Sequence, residues 1–186
     1  MTAPAFAPPP SAARPLAERA TAGGLAVLAE GCWPQSPYDD RPPGLPGFIE
    51  STFSPLVAEA AERCLRARYG EPPVDPARGE RTAIVLLSPL GDVSGAVRVA
   101  RAVDEGTRVT PLLFFQSVPN AVAGYLAARW GLAGPVVCLS AAEEGLAVAA
   151  QLIEEGDADE ALVVLAHQSY LDGEPDRAAA VLIGNG

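Results

Sequence analysis

Short runs of aliphatic residues, uninterrupted by polar ones, constrain the fold of this 186-residue chain more than any other feature. They occupy residues 83–87, 136–139 and 161–166. A strand with one solvated face alternates polar and apolar side chains, whereas a strand covered on both faces is a continuous apolar run. Three such strands, separated by segments of helical pattern, predict an α/β fold.

The central stretch of the chain has the order of a parallel α/β layer. It is predicted to contain a strand or turn (109–116), a helix (118–130), a strand (135–139), a helix (141–155) and a strand (161–166). Ser117 or Asn120 can cap the first helix. Ser140 and Glu143 have the spacing of a capping box at the start of the second.

The remaining segments extend this alternation. They are predicted to form a flexible Pro/Ala-rich tail (1–22), a strand (23–32), a helix (55–69), a strand (81–88), a helix (92–103) with Val93, Val97, Ala100 and Val103 inward, and a last strand (178–183). Residues 33–48 and 70–80 are predicted to be loops, because they are rich in proline and glycine. We therefore expect one domain, residues 23–186, behind the tail.

Charge and composition exclude several classes of protein. Thirteen basic residues, all arginine, face 23 acidic residues, so the net charge is −10. The arginines are scattered, whereas nucleic-acid binders concentrate them on one face, so no nucleic-acid partner is expected. The absence of lysine excludes Schiff-base chemistry and a lysine-bearing phosphate loop. No apolar run approaches the ~20 residues of a membrane span, so we expect no membrane partner.

The cysteines show neither zinc-site spacing nor the density of a secreted disulfide scaffold. Cys32, Cys64 and Cys138 lie far apart in the chain. We therefore expect a reducing cytoplasm, no metal and no cofactor.

The central stretch carries a family resemblance. It contains SVPNAVAGYLAARWGLAGP, then an apolar strand, then a turn into an alanine-rich helix, then GDADEALVV. This order resembles the N-terminal half of β-ketoacyl synthases of the thiolase fold. It is more closely similar to short, cysteine-less ketosynthase-like proteins of bacterial polyketide clusters, which resemble chain-length factors. The resemblance implies a single thiolase-like half, a five-stranded mixed sheet with helices on both faces.

The chain departs from active members of that family at the positions that carry the chemistry. In the family the turn at residues 140–145 presents a nucleophilic cysteine, but here it is SAAEEG. The family's serine-valine-histidine-asparagine run appears as Ser117, Val118, Pro119 and Asn120, without the histidine. Two further catalytic residues, usually histidines, come from a C-terminal half that these residues do not include. The resemblance therefore favours a non-catalytic subunit over an enzyme.

The resemblance also implies partners. Such a subunit would pair with an active ketosynthase or with itself, with the acyl carrier protein as a further candidate. In the family, the strand before the nucleophile turn pairs across a two-fold axis. The implied interface residues are Val136, Val137, Cys138 and Leu139.

An acyl pocket is the third implication. The residues that the resemblance places along it are Phe115, Ser117, Asn120, Ser140 and Glu143. Phe114 and Phe115 are most simply core residues in an α/β domain. The resemblance places this region instead near the dimer interface and the acyl channel.

Other interpretations stay open. Glu143 and Glu144 suit a helix N-terminus in any protein, since the helix dipole favours acidic residues there. Alternatively, one of them acts as general acid or base on a carrier-bound acyl substrate, in decarboxylation, isomerisation or cyclisation. A homodimeric acyl-binding scaffold is a third possibility. Cys138 is predicted to be a small core hydrophobe and His167 an ordinary surface histidine.

Overall fold

Five strands and seven helices make up the part of the chain that the computed structural model describes, residues 13–141, 144–169 and 175–185. The strands are β1 (Ala26–Trp33), β2 (Thr82–Leu87), β3 (Val136–Leu139), β4 (Glu160–His167) and β5 (Arg177–Gly184). The helices are α1 (Arg14–Ala22), α2 (Phe53–Tyr69), α3 (Pro76–Gly79), α4 (Val93–Asp104), α5 (Pro111–Gln116), α6 (Pro119–Trp130) and α7 (Gly145–Glu154).

The strands form one mixed sheet in the order β1-β5-β4-β2-β3. β3, β2 and β4 run parallel, whereas β5 is antiparallel to both of its neighbours, β4 and β1. Helices α2 and α6 pack on one face of the sheet, and α1 and α7 pack on the other. The predicted α/β class, with a five-stranded mixed sheet and helices on both faces, is confirmed.

The continuous apolar runs are explained by two cores, one on each face. Successive side chains of a strand point to opposite faces. In β2, Ile84 and Leu86 join the core under α2 and α6, while Val85 and Leu87 join the core under α1 and α7. Because both faces are covered, every residue of β2 is buried.

Residues 14–22 form helix α1, so the prediction of a flexible tail is wrong for this part of the chain. A proline occupies its first turn, where the missing N–H costs no hydrogen bond. Leu16, Ala17 and Ala20 are buried against β1 and β5. The sequence shows no clear apolar periodicity for this helix, because its buried face consists mostly of alanine. Residues 1–12 lie outside the described residues, and for them the tail stays a prediction.

Residues 111–116 form helix α5 rather than the predicted strand or turn. Pro111 stands in its first turn, where its fixed φ favours a helix. Leu113 is buried in the apolar run that follows, but Phe114 is 61% exposed and Phe115 75% exposed. The interpretation of these two aromatic residues as core is therefore wrong.

Helix α4 does not bury the face that its sequence predicts. Val97 and Val103 are exposed, although their spacing is that of an inward-facing stripe. Of the residues of α4, all of which the structure describes, Gly95 alone is buried. Periodicity predicted the helix correctly, but it could not show whether a neighbouring element covers the stripe.

Helix α7 begins later than predicted. Its N-cap is Glu144, which makes no side-chain capping bond, and Ser140 lies exposed before it. Glu143 lies outside the described residues, so the predicted capping box stays a prediction. The helix lies close to β2 at Gly145. A Cβ added to this glycine would lie 2.3 Å from a methyl carbon of Leu87.

Candidate functional site

Strand β3 forms one edge of the sheet, where no other described strand pairs with it. Ser88 donates its backbone N–H to the carbonyl of Leu139 at 2.9 Å, which fixes the side of β3 that faces β2. Alternate residues of a strand direct their backbone groups to opposite sides. The N–H groups of Val136 and Cys138 therefore point away from the sheet, toward the open edge.

The side chains of β3 are less covered than the apolar run predicted. Val136 is 44% exposed, and the next three residues are half-buried, so the prediction of a strand covered on both faces is wrong. Cys138 packs against the core under α2 and α6. Burial raises the pKa of its thiol, so the thiol stays protonated and is a poor nucleophile. This agrees with its predicted role as a small hydrophobe.

An exposed apolar surface lies on and beside α5. We call it the α5 surface; it consists of Leu112, Phe114, Phe115 and Val118. Helix α6 packs against both α5 and β3. Single exposed apolar residues are ordinary, whereas an exposed group that includes two phenylalanines in one short helix indicates an interaction site.

The residues predicted to line an acyl pocket lie in three places. Phe115 is on the α5 surface, and Asn120 is exposed in the first turn of α6, where it makes no capping bond. Ser117 is half-buried, and its hydroxyl donates to the carbonyl of Leu113 at 2.6 Å. Ser140 is exposed at the end of β3, and Glu143 lies outside the described residues. A pocket formed by this set stays a prediction.

Of the two candidate acid–base residues, Glu144 is exposed and Glu143 lies outside the described residues. Glu144 lies at the start of α7. His167, predicted to be an ordinary surface histidine, is exposed at the end of β4. Among the described residues, neither side chain has a hydrogen-bond or ion-pair partner. A catalytic role for Glu143 or Glu144 therefore stays a prediction.

Buried polar contacts that sequence reasoning missed hold α4 in place. Asp92 accepts a hydrogen bond from the Ser51 hydroxyl at 2.5 Å and one from the backbone N–H of Gly95 at 2.8 Å. The second bond caps α4. An aspartate directly before a helical pattern is a recognisable signal for that cap.

A buried glutamine adds to the same network. Gln168 donates to the hydroxyls of Ser94 at 2.7 Å and Thr52 at 2.8 Å. It joins the segment after β4 to the starts of α2 and α4. Nothing in the local sequence marks this residue, because its partners are distant in the chain.

Comparison with known protein families shows to which family the chain belongs. Residues 53–172 match the β-ketoacyl synthase N-terminal domain. This match covers more than half of the chain. The chain belongs to the β-ketoacyl synthase N-terminal domain family.

Solved structures of ketosynthases share the fold of this family member. A chain of the ketosynthase in complex with its chain length factor from Xenorhabdus doucetiae superposes with a TM-score of 0.66 at 19% identity, covering 88% of this chain and 79% of that one. The ishigamide ketosynthase/chain length factor gives 0.60 at 20%, covering 80% and 48%. A type II polyketide acyl-carrier protein in complex with its ketosynthase gives 0.64 at 15%, covering 87% and 62%.

This ketosynthase-family chain thus spans less than two thirds of the matched chain in two of these three structures. No curated protein sequence matches it. None of the helices in the described ranges is long and apolar enough to cross a membrane. Within the same ranges, no three His, Cys, Asp or Glu side chains gather as a metal site would require.

Proposed function

We propose that this chain is a non-catalytic subunit, similar to a chain-length factor, in bacterial polyketide or fatty-acid biosynthesis. It pairs with an active ketosynthase in the cytoplasm and shapes an acyl pocket on growing chains that the acyl carrier protein delivers. The observation that carries this proposal is the open edge of β3, and the exposed α5 surface is a second observation in its favour. Family membership and the likeness to ketosynthase–chain length factor complexes support it.

The open edge and the α5 surface both favour a protein partner. An uncovered strand exposes unpaired N–H and C=O groups, which pair readily with a strand of another chain. Phe114 and Phe115 are exposed and would gain from burial of their apolar area against a partner. Interface cores are enriched in aromatic residues, so Phe114 and Phe115 are suited to the centre of such an interface.

The turn between β3 and α7 supports the proposed non-catalytic role. No cysteine occurs in residues 140–145, and the nearest thiol, that of Cys138, lies within the strand. Its raised pKa keeps the reactive thiolate rare at neutral pH. Bond-making chemistry is therefore assigned to the partner.

The experiment is co-expression of the chain with a ketosynthase from the same gene cluster, followed by measurement of molar mass and condensing activity. We expect a stable mixed complex whose activity is absent from either protein alone. Phe115→Ser should weaken this complex at least tenfold, because interface aromatics contribute disproportionately to affinity. Tyr38→Ser, at a residue 90% exposed in the loop before α2, is the matched control and should have no effect.

A second variant tests the open edge. Val136→Pro removes an N–H that points away from β2, and proline is tolerated on edge strands with that orientation. We expect the variant to fold normally but to lose the mixed complex. A chain that forms only homodimers would instead favour the acyl-binding scaffold. A chain that remains monomeric beside the ketosynthase would disprove the pairing.

A further inference from the structure

Residues 91–117, which include α4 and α5, contribute no side chain to either core. We call them the α4–α5 arm; the structure describes all of them, and none belongs to the core under α2 and α6 or to the core under α1 and α7. Leu113 is the only apolar side chain of the arm that is buried. Helix α6 has the same 12 residues as α4, yet it buries Val122, Ala123, Leu126 and Trp130. Apolar burial therefore contributes little to holding the arm.

A buried glutamine, Gln168, holds the start of α4. Its Oε1 accepts the backbone N–H of Ser94 at 3.0 Å, and its Nε2 donates to the hydroxyls of Ser94 at 2.7 Å and Thr52 at 2.8 Å. Gln168 directly follows β4, at the carboxyl ends of the parallel strands β2 and β4. The start of the arm is therefore fixed at this edge of the sheet by one side chain.

The other polar attachments of the arm lead to the segment before α2. The Ser51 hydroxyl donates to Asp92 at 2.5 Å, and the backbone N–H of Glu50 donates to the Oε1 of Gln116 at 3.3 Å. Arg98 forms an ion pair with Glu50 at 2.5 Å. Beyond the packing of α5 on α6, the next helix along the chain, these attachments converge on residues 50–52. The arm thus has a narrow polar base.

Two buried polar atoms of the arm have no hydrogen-bond partner among the described residues. They are the Oδ2 of Asp92 and the Nε2 of Gln116. An unpaired buried polar atom destabilises the state that buries it, because the atom has lost its hydrogen bonds to water. Movement of the arm away from its base returns water to both atoms. They therefore favour an open state.

We propose that the α4–α5 arm opens as one unit while the sheet and its two cores stay folded, and that Gln168 is the clasp that holds it closed. Segments that bury few apolar side chains open locally, at a fraction of the free energy of global unfolding. Opening frees the polar groups of Thr52 and Gln168 at the carboxyl edge of β2 and β4, the edge at which α/β sheets bind ligands. This motion does not depend on a ketosynthase partner.

The first test is hydrogen exchange, measured by mass spectrometry on the unmodified chain alone. A detached helix of this length is marginal in water, so opening exposes the amides of the arm to exchange. We expect the hydrogen-bonded amides of α4 and α5 to exchange at least a hundredfold faster than those of β2 and α6, with one shared opening constant that depends weakly on urea. Helix α6 is the control, because it matches α4 in length. Exchange of α4 as slow as that of α6, or different opening constants for α4 and α5, would overturn the proposal.

The second test removes the clasp. Gln168→Met keeps the approximate volume of the side chain but loses its three hydrogen bonds, so α4 and α5 should exchange at least tenfold faster while β2 and α6 stay unchanged. The matched control is Gln151→Met, at an exposed glutamine that bonds to Glu155 on the same helix, and it should change no rate. An unchanged arm, or equal acceleration in β2 and α6, would show that Gln168 is not a clasp. If this variant does not fold, Ser94→Ala removes one of the three bonds and is judged by the same rates.

Discussion

At the scale of single residues, close backbone approach limits the choice of side chain at Gly31. This glycine lies in β1 where α2 crosses the strand. A Cβ there would lie 2.4 Å from the carbonyl oxygen of Ala60 and 2.5 Å from the backbone nitrogen of Cys64. Both atoms belong to the helix backbone, which cannot yield as a flexible side chain does.

We therefore predict that Gly31→Ala lowers the free energy of unfolding by about 3 kcal/mol, measured by urea denaturation, because the strand must move off the helix. The control is Gly124→Ala in α6, where a Cβ would meet no atom within 4 Å. That change should raise stability by about 0.5–1 kcal/mol, since alanine favours the helix. Equal small effects at both sites would contradict the close approach.

At the scale of elements, α5 shows that one residue can decide whether an apolar run forms a strand or a helix. The runs at 83–87 and 112–115 are both short and aliphatic or aromatic, yet the first is β2 and the second a helix. A proline precedes the second run at the first helical turn. The effect of this proline is local and can be predicted from the sequence. The exposure of Phe114 and Phe115 cannot be predicted in the same way.

The orientation of α5 predicts opposite costs for two neighbouring leucines. Leu113 is 1% exposed and Leu112 is 47% exposed. Leu113→Ala should cost about 2–5 kcal/mol in thermal or urea unfolding, because it leaves a cavity in a packed site. Leu112→Ala should cost less than about 1 kcal/mol. The reverse ranking would show that the helix is rotated about its axis.

Elements with local signals could be predicted, and those defined by distant contacts could not. The strands β2 and β4 and the helices α2 and α6 follow from apolar runs, periodicity and proline or glycine boundaries. The exposure of Val103 on α4, the open edge at β3 and the burial of Gln168 depend on which element packs nearby. The same limit applies to the candidate site, whose α5 surface is invisible until the helix is placed.

At the scale of the whole molecule, α1 completes the second core. Together with α7 it covers the face of the sheet that α2 and α6 do not reach. Leu16 is 4% exposed there, although its segment has the composition of a disordered tail. The first helix is therefore part of the folded unit.

This role predicts that Leu16→Ala lowers the free energy of unfolding by about 2–3 kcal/mol in urea denaturation, as expected for a buried leucine. Glu18→Ala, at an exposed position of the same helix, should change it by no more than about 0.5 kcal/mol. If the leucine variant is as stable as the control, α1 is not required for the second core.

The position of β5 within the sheet also affects how the chain is made. β5 is the last described strand to be synthesised, yet it lies between β1, the first strand, and β4. Until it leaves the ribosome, β1 has no hydrogen-bonded neighbour and one edge of β4 is unpaired. The nascent chain therefore exposes apolar strands until β5 has been made, and such exposed strand edges are prone to aggregate.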